Sequence, residues 1–326
     1  ACLPACLPAC LPACRTAIHR LQLTYESTIN QAAVDRYGNL NKKYQRNDDY
    51  SWDPVSEEDK PELAEALSII EAAAERGHAT PQAILGSAYE FAQGVEKDVE
   101  KAVKWNTLAA EQVFAVKGLQ GATLREIREQ AGQRNESVIH YHFGSREAIV
   151  ESVLQLRSAP VDARRTEMLD QALAASNGMP LSTEQISRCC LMPLAELLLD
   201  GSSPGHYMRF LIQLRVDRAV WRQFRGLYGL GLEACLAALR DCKPYMPVQI
   251  VDQRFISVMD MQVNGLAALE QIQHAQGSAF RYDDARVRIE DLIATGAAMF
   301  DAPLSPAVVA ALDKSTEQVR KDEGRG

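Results

Sequence analysis

The side chains with chemistry to offer cluster between Thr123 and Arg146. Gln133, Arg134, Asn135 and Ser137 open a short polar helix, where side chains reach base edges in a DNA major groove; arginine pairs with guanine and asparagine with adenine. Thr123 can give its hydroxyl or backbone N–H to a phosphate at a helix N-terminus, and Arg146 can pair with a phosphate where the next helix begins. Competing chemistries find little support. His140 and His142 stand as His-x-His without a third ligand nearby, and Cys2, Cys6, Cys10 and Cys14 have no histidine or carboxylate among them, so no metal is expected. No nucleophile–base pair, zinc signature or phosphate-cradling glycine loop occurs in the sequence, so neither catalysis nor a cofactor is expected.

Positioning these residues needs two helices and a tight turn. Val113 to Gly118 closes an amphipathic helix with a glycine stop. Thr123 then stands where an N-cap belongs, and Glu126 three residues later completes a capping box ahead of Ile127 and Ala131. Gly132 ends that helix, and Asn135 to Tyr141 forms the second. Helix, glycine turn and short second helix make a helix-turn-helix.

The string GATLREIREQAGQRNESVIHYHFGSREAI, with Phe114 and Gly118 before it, resembles the DNA-binding domain of the TetR (tetracycline repressor) family. Thr123, Ile127, Ala131-Gly132, His140 to Phe143 and Gly144 to Ala148 carry the likeness. The resemblance implies that His140 and Tyr141 contact phosphate and that His142 and Phe143 pack the small core of the domain. The stretch from Gly132 to Phe143 is one residue longer than the family's commonest form, and the family's basic arm ahead of the first helix is missing. Between Lys117 and Arg157 six basic residues face five acidic ones, a net charge of only +1. Few phosphate contacts imply a shallow salt dependence, each contributing about −0.9 to the slope.

From Arg164 to Phe300 the sequence reads as helix after helix. Tyr207, Leu211, Leu214, Trp221, Phe224 and Tyr228 form one core-facing stripe. Val251, Phe255, Val258, Gln262, Leu266, Leu269 and Ile272 form a second, and Ile289, Leu292, Ile293, Gly296 and Phe300 a third. The family resemblance implies a ligand-binding and dimerisation domain here, with 247–275 and 283–301 packing against a second copy. Filling a monomer core is the alternative use of the stripes. Met192, His206, Met208, Arg209, Gln213, Arg215 and Trp221 could line an effector pocket, and none is singled out.

Upstream, the segment 60–112 repeats itself: Glu65-Ala66-Leu67 and Ala73-Ala74-Glu75 recur as Lys101-Ala102-Val103 and Ala109-Ala110-Glu111, offset by 36 residues (101 − 65). A period in the thirties means stacked helix pairs. Gly77, Ala83, Leu85-Gly86, Tyr89, Gly94-Val95, Asp98 and Trp105 make the unit similar to a Sel-one-like repeat, with about one and a half units present. The first fourteen residues, ACLP repeated, put a proline in every helical turn and predict an extended tail. The expected domains are therefore 1–59 (tail and an unassigned segment), 60–104, 105–157, 158–302 and a C-terminal tail 303–326.

Composition sets the frame. The chain has 326 residues, 47% hydrophobic and 24% charged, with 6% aromatic and a net charge of −8. Those values exclude a wholly disordered chain and one that coats nucleic acid indiscriminately. Frequent Ala and Leu with few β-branched runs predict an all-α fold. No apolar run approaches the roughly 18–20 residues of a bilayer span, and nothing resembles a secretory signal, so a cytoplasmic protein without a membrane partner is expected. Cys189, Cys190, Cys235 and Cys242 in helical sequence read as small buried hydrophobes. The resulting expectation is a homodimeric regulator, a repressor by this reading, that binds palindromic double-stranded DNA and is released by a small-molecule effector. The alternative is a helical-repeat adaptor without DNA binding.

Overall fold

In a computed structural model of the chain, the structure describes residues 31–37, 39, 59–75, 79–92, 95–123, 126–127, 145–200, 205–216, 220, 223–224, 229–312 and 314. The fold is all-α, and no strand occurs among the described residues. In chain order the main helices are α1 (Lys60–Glu75), α2 (Ala79–Phe91), α3 (Val99–Lys117), α4 (Arg146–Ala175), α5 (Thr183–Leu199), α6 (Tyr207–Val216), α7 (Leu230–Cys242), α8 (Val248–Gln276) and α9 (Tyr282–Asp301). Shorter helical pieces lie at 31–37 and at Pro306–Leu312, the latter inside the expected C-terminal tail. The ACLP tail and most of 15–58 lie outside the described residues.

The alanine-rich repeat folds as three consecutively packed helices, α2 lying against both α1 and α3. Of the positions that the 36-residue offset equates, Ala66 and Ala102 are buried, and so are Ala74 and Ala110, whereas Glu75 is exposed and Glu111 buried. Small side chains let these helices approach closely. A Cβ on Gly86 of α2 would come within 2.3 Å of Asn106 Oδ1 on α3, so a larger residue there requires the Asn106 side chain or α3 to shift.

Helix α3 belongs to two cores at once. Trp105 packs with Leu63, Ile70 and Leu85, whereas Val113 and Phe114, two turns on, pack with Ile149, Phe210 and Ile293. Asp98 caps it, accepting from the Lys101 N–H at 3.0 Å. The expected boundaries at 104/105 and 157/158 fall inside α3 and α4, so neither coincides with a break in the backbone.

The larger body is built from α4 to α9, with α5 against α4, α7, α8 and α9. The Ser182–Gln185 capping box starts α5. Two of the three predicted stripes face inward: Val251, Phe255, Val258, Gln262, Leu266 and Leu269 are buried, as are Ile289, Ile293, Gly296 and Phe300, while Ile272 and Leu292 are half-buried against the same core. Each large apolar side chain removed from water this way contributes about 1.5–3 kcal/mol. Inside, Gln262 Nε2 donates to Ser187 Oγ (2.9 Å), which donates to the Ile293 carbonyl (2.9 Å). Tyr207, Leu214 and Phe224 of the remaining stripe are buried; Trp221 and Tyr228 lie outside the described residues. Cys189, Cys190 and Cys235 are buried and Cys242 is half-buried. Among the described residues no single helix is long and apolar enough to cross a membrane.

Candidate nucleic-acid interface

Gly118 stops α3 in the backbone region open to glycine, at φ 79°, and its N–H returns to the Phe114 carbonyl at 2.9 Å. A short turn follows, held inward by buried Leu119 and Ala122. The capping box predicted at Thr123 is present: Thr123 N–H donates to Glu126 Oε2 (3.0 Å), and Glu126 N–H donates to Thr123 Oγ1 (3.1 Å). Lys117 adds an ion pair to Glu126 at 2.8 Å. The Lys117 ammonium and the two Thr123 donors hold the Glu126 carboxyl down at about 2. Ile127 anchors the start of this helix in the core.

Arg146 is placed beside that turn. It is the first residue of α4, whose N-cap Ser145 accepts from the Ala148 N–H at 3.1 Å. Its Nη1 donates to the Leu119 carbonyl at 3.1 Å, tying the start of α4 to the loop four residues before Thr123. The start of α4 and the turn that leads to the Thr123 cap are thereby tied together. Thr123 is exposed, and the Arg146 side chain is partly so. Both donors of Thr123 already serve Glu126, so a phosphate bound there displaces a carboxylate. Gln133, Arg134, Asn135, Ser137, His140 and Tyr141 lie outside the described residues, as do His142 and Phe143.

Behind this edge lies a buried polar network. Glu111 of α3 accepts from Arg157 Nε of α4 at 2.7 Å and from the backbone N–H of His206, just before α6, at 2.8 Å. Glu270 of α8 accepts from the N–H groups of Met208 (3.0 Å) and Arg209 (3.3 Å), and from Arg209 Nε (3.0 Å). The N-terminus of α6 is therefore gripped by two carboxylates from two helices, as the dipole of a helix favours. Burial pushes the Glu270 carboxyl up to about 7, and burial beside His274 and Arg209 pulls the His206 imidazole down to about 3. Both acids were missed in the sequence. The available signal was a glutamate at a core-facing position: Glu270 directly follows Leu266 and Leu269, and Glu111 sits between Ala110 and Val113.

A cleft of about 640 Å³ opens between α4, α5 and α9. Of the described side chains proposed for an effector pocket, Met192 lines it. His206 and Met208 are core residues, Arg209 is paired with Glu270, and Arg215 pairs with Asp260 at 2.5 Å. Gln213 lies against Gly118, where a Cβ would meet its Oε1 at 3.1 Å. Among the described residues no three His, Cys, Asp or Glu side chains gather as metal ligands would.

The described residues supply a capped helix start at Thr123 and the N-terminus of the long helix α4; the segment between them, read from sequence as a helix-turn-helix, lies outside the described residues. Residues 107–153 match the family model described as bacterial regulatory proteins, tetR family. The match begins inside α3 and ends inside α4, and it supports a DNA-binding transcriptional regulator. No curated protein matches the chain.

Proposed function

We propose that the chain is a cytoplasmic, ligand-responsive repressor that binds a palindromic operator as a homodimer. The observation that carries this reading is the family match over 107–153, joined through the thirty-residue α4 to a large helical body. In this reading Gln133, Arg134, Asn135 and Ser137 read base edges, and Thr123, His140, Tyr141 and Arg146 hold phosphates. The second copy packs on the outer faces of α8 and α9, the helices expected over 247–275 and 283–301. Two reader helices then stand one duplex turn apart, about 34–36 Å. An effector that binds better to another arrangement of the dimer changes that spacing and releases the DNA. The repeat helices α1 and α2 act as a structural appendage that covers the N-terminal half of α3.

Selection from a random duplex pool tests the reading, with enrichment of a two-fold symmetric site expected. Substituting Arg134, Asn135 and Arg146 together by alanine is expected to abolish duplex binding while the dimer survives. Failure to enrich any duplex, from a protein that runs as a monomer, overturns it.

A further inference from the structure

The cleft between α4, α5 and α9 has a largely apolar wall formed by Pro160, Val161, Met192, Leu197 and Ile289, and its volume falls within the roughly 300–1,000 Å³ range of small-molecule sites. Its charged rim is mostly answered internally. Glu196 accepts from Arg164 Nε (3.0 Å) and Nη2 (3.2 Å), and Arg164 Nη1 turns to Glu167 (2.8 Å). Glu290 is held by both terminal nitrogens of Arg188, at 2.8 and 2.6 Å. Asp200 lies on the exposed rim at the end of α5. Arg286 of α9 is different: it lines the cleft, is exposed, and has no carboxylate partner among the described residues. An apolar trough with one unanswered guanidinium suits a molecule with an apolar body and a single carboxylate.

The cleft also touches the helix best placed to report an occupant. Pro160 has no N–H, so the Leu156 carbonyl lacks its helical donor, and the hydrogen-bond ladder of α4 is interrupted where the cleft begins. One turn earlier, buried Glu111 grips Arg157 and ties α4 to α3. Arg146 lies fourteen residues before Pro160, about 21 Å along the helix axis. A ligand wedged against Pro160, Val161 and Arg164 therefore presses on α4 at its weak point, beyond its clasp to α3. On α9 the cleft-facing Arg286, Ile289 and Glu290 lie about a third of a turn away from the outward row Val287, Asp291, Ala294 and Ala298, so a partner on that row leaves the cleft open.

We infer that this cleft is the effector site and that it takes an amphipathic monocarboxylate, its apolar body against Met192 and Ile289 and its carboxylate on Arg286. The inference rests on the regulator reading above but is tested by direct binding, without DNA. Decanoate, kept below its micellar concentration, is titrated calorimetrically into the full-length protein. One saturable site per chain is expected, weakened at least tenfold by Arg286→Glu, recovered largely by Arg286→Lys, and closed by Met192→Trp. Thermal melts of each variant confirm that it is folded; Arg286, being exposed, serves if Met192→Trp does not fold. Absence of saturable binding, binding indifferent to Arg286→Glu, or tighter binding of decyltrimethylammonium than of decanoate each overturns the inference. Loss of the operator in the separate duplex selection, with decanoate still bound, instead removes the regulator reading and leaves the site.

Discussion

Glu270 and His206 flank the first turn of α6 and titrate in opposite senses. A carboxyl raised from 4.5 to about 7 keeps its proton longer in the folded chain, so stability falls as pH rises through that window. An imidazole lowered from 6.5 to about 3 is protonated first in the unfolded chain, so stability falls as pH drops through that window. Between 4.5 and 6.5 the two slopes oppose each other. Glu270→Gln removes one of them. Denaturant melts at about pH 5 and about pH 6.5 should show the variant gaining stability with pH more steeply than the parent, by up to about 1.4 kcal/mol per pH unit. Equal slopes would place the Glu270 carboxyl in its ordinary range. None of this was legible in the sequence, because Glu270 and Arg209 are 61 residues apart. The Thr123–Glu126 box was legible, since it depends on a spacing of three within one helix start. Its further partner Lys117 and the Arg146 bond to Leu119 were not, because both cross a turn whose path the spacing leaves open.

Helices α3 and α4 carry the regulatory segment between them, and beside the apolar packing of Val113 and Phe114 on Ile149 they share one buried ion pair. Glu111 is 2% exposed at its side chain and Arg157 21%. Arg157→Ala strands the Glu111 carboxylate with the His206 N–H as its remaining partner. Removing one member of a buried pair costs about 3–5 kcal/mol, and the partial exposure of Arg157 places the expected loss near the lower figure. A denaturant midpoint within error of the parent would show that α3 and α4 are held by apolar packing alone. Gly118 makes the second element-scale prediction. Its φ of 79° strains any other residue, and a Cβ would press on Gln213 at 3.1 Å. Gly118→Ala should cost about 1–2 kcal/mol in the same melts; no change would mean that the turn relaxes freely. Helix existence was legible for the described helices of the larger body because periodic apolar stripes survive in the chain. Helix α3 serves two cores with one amphipathic surface, and periodicity does not register a change of partner along a helix.

At the scale of the whole molecule, the inward stripes of α8 and α9 are already used by the chain's own core, and their outer faces are where the proposed second copy would pack. Those faces carry exposed Ile256 and Val287, at 57% and 70%, together with exposed Ala268, Ala294 and Ala298. Small side chains on paired helices permit the close approach that a four-helix bundle needs. Replacing Ala294 and Ala298 together by arginine puts two long cations into that seam without touching the buried Ile289, Ile293 and Phe300. Light scattering should then report a monomer, with a thermal midpoint close to that of the parent. Affinity for a two-half-site duplex should fall by about 10²–10⁴, the usual gain from linking two binding events, while affinity for one half-site stays the same. A folded double variant that remains dimeric puts the interface elsewhere, and a monomer that keeps full affinity for the palindrome means the operator is read by one subunit at a time. The repeat makes the complementary case. Deleting residues 1–98 strips α1 and α2 from α3 and bares Ala102, Trp105 and Ala109, all buried in the intact chain. Burying a tryptophan and two alanines contributes several kcal/mol by area, so the truncated protein should melt earlier and aggregate on heating, and Trp105→Gln within the truncation should reduce the aggregation. A truncation as stable as the full chain would show that α3 keeps its place through Val113, Phe114 and the Glu111–Arg157 pair alone, and that the repeat contributes nothing to holding the reader.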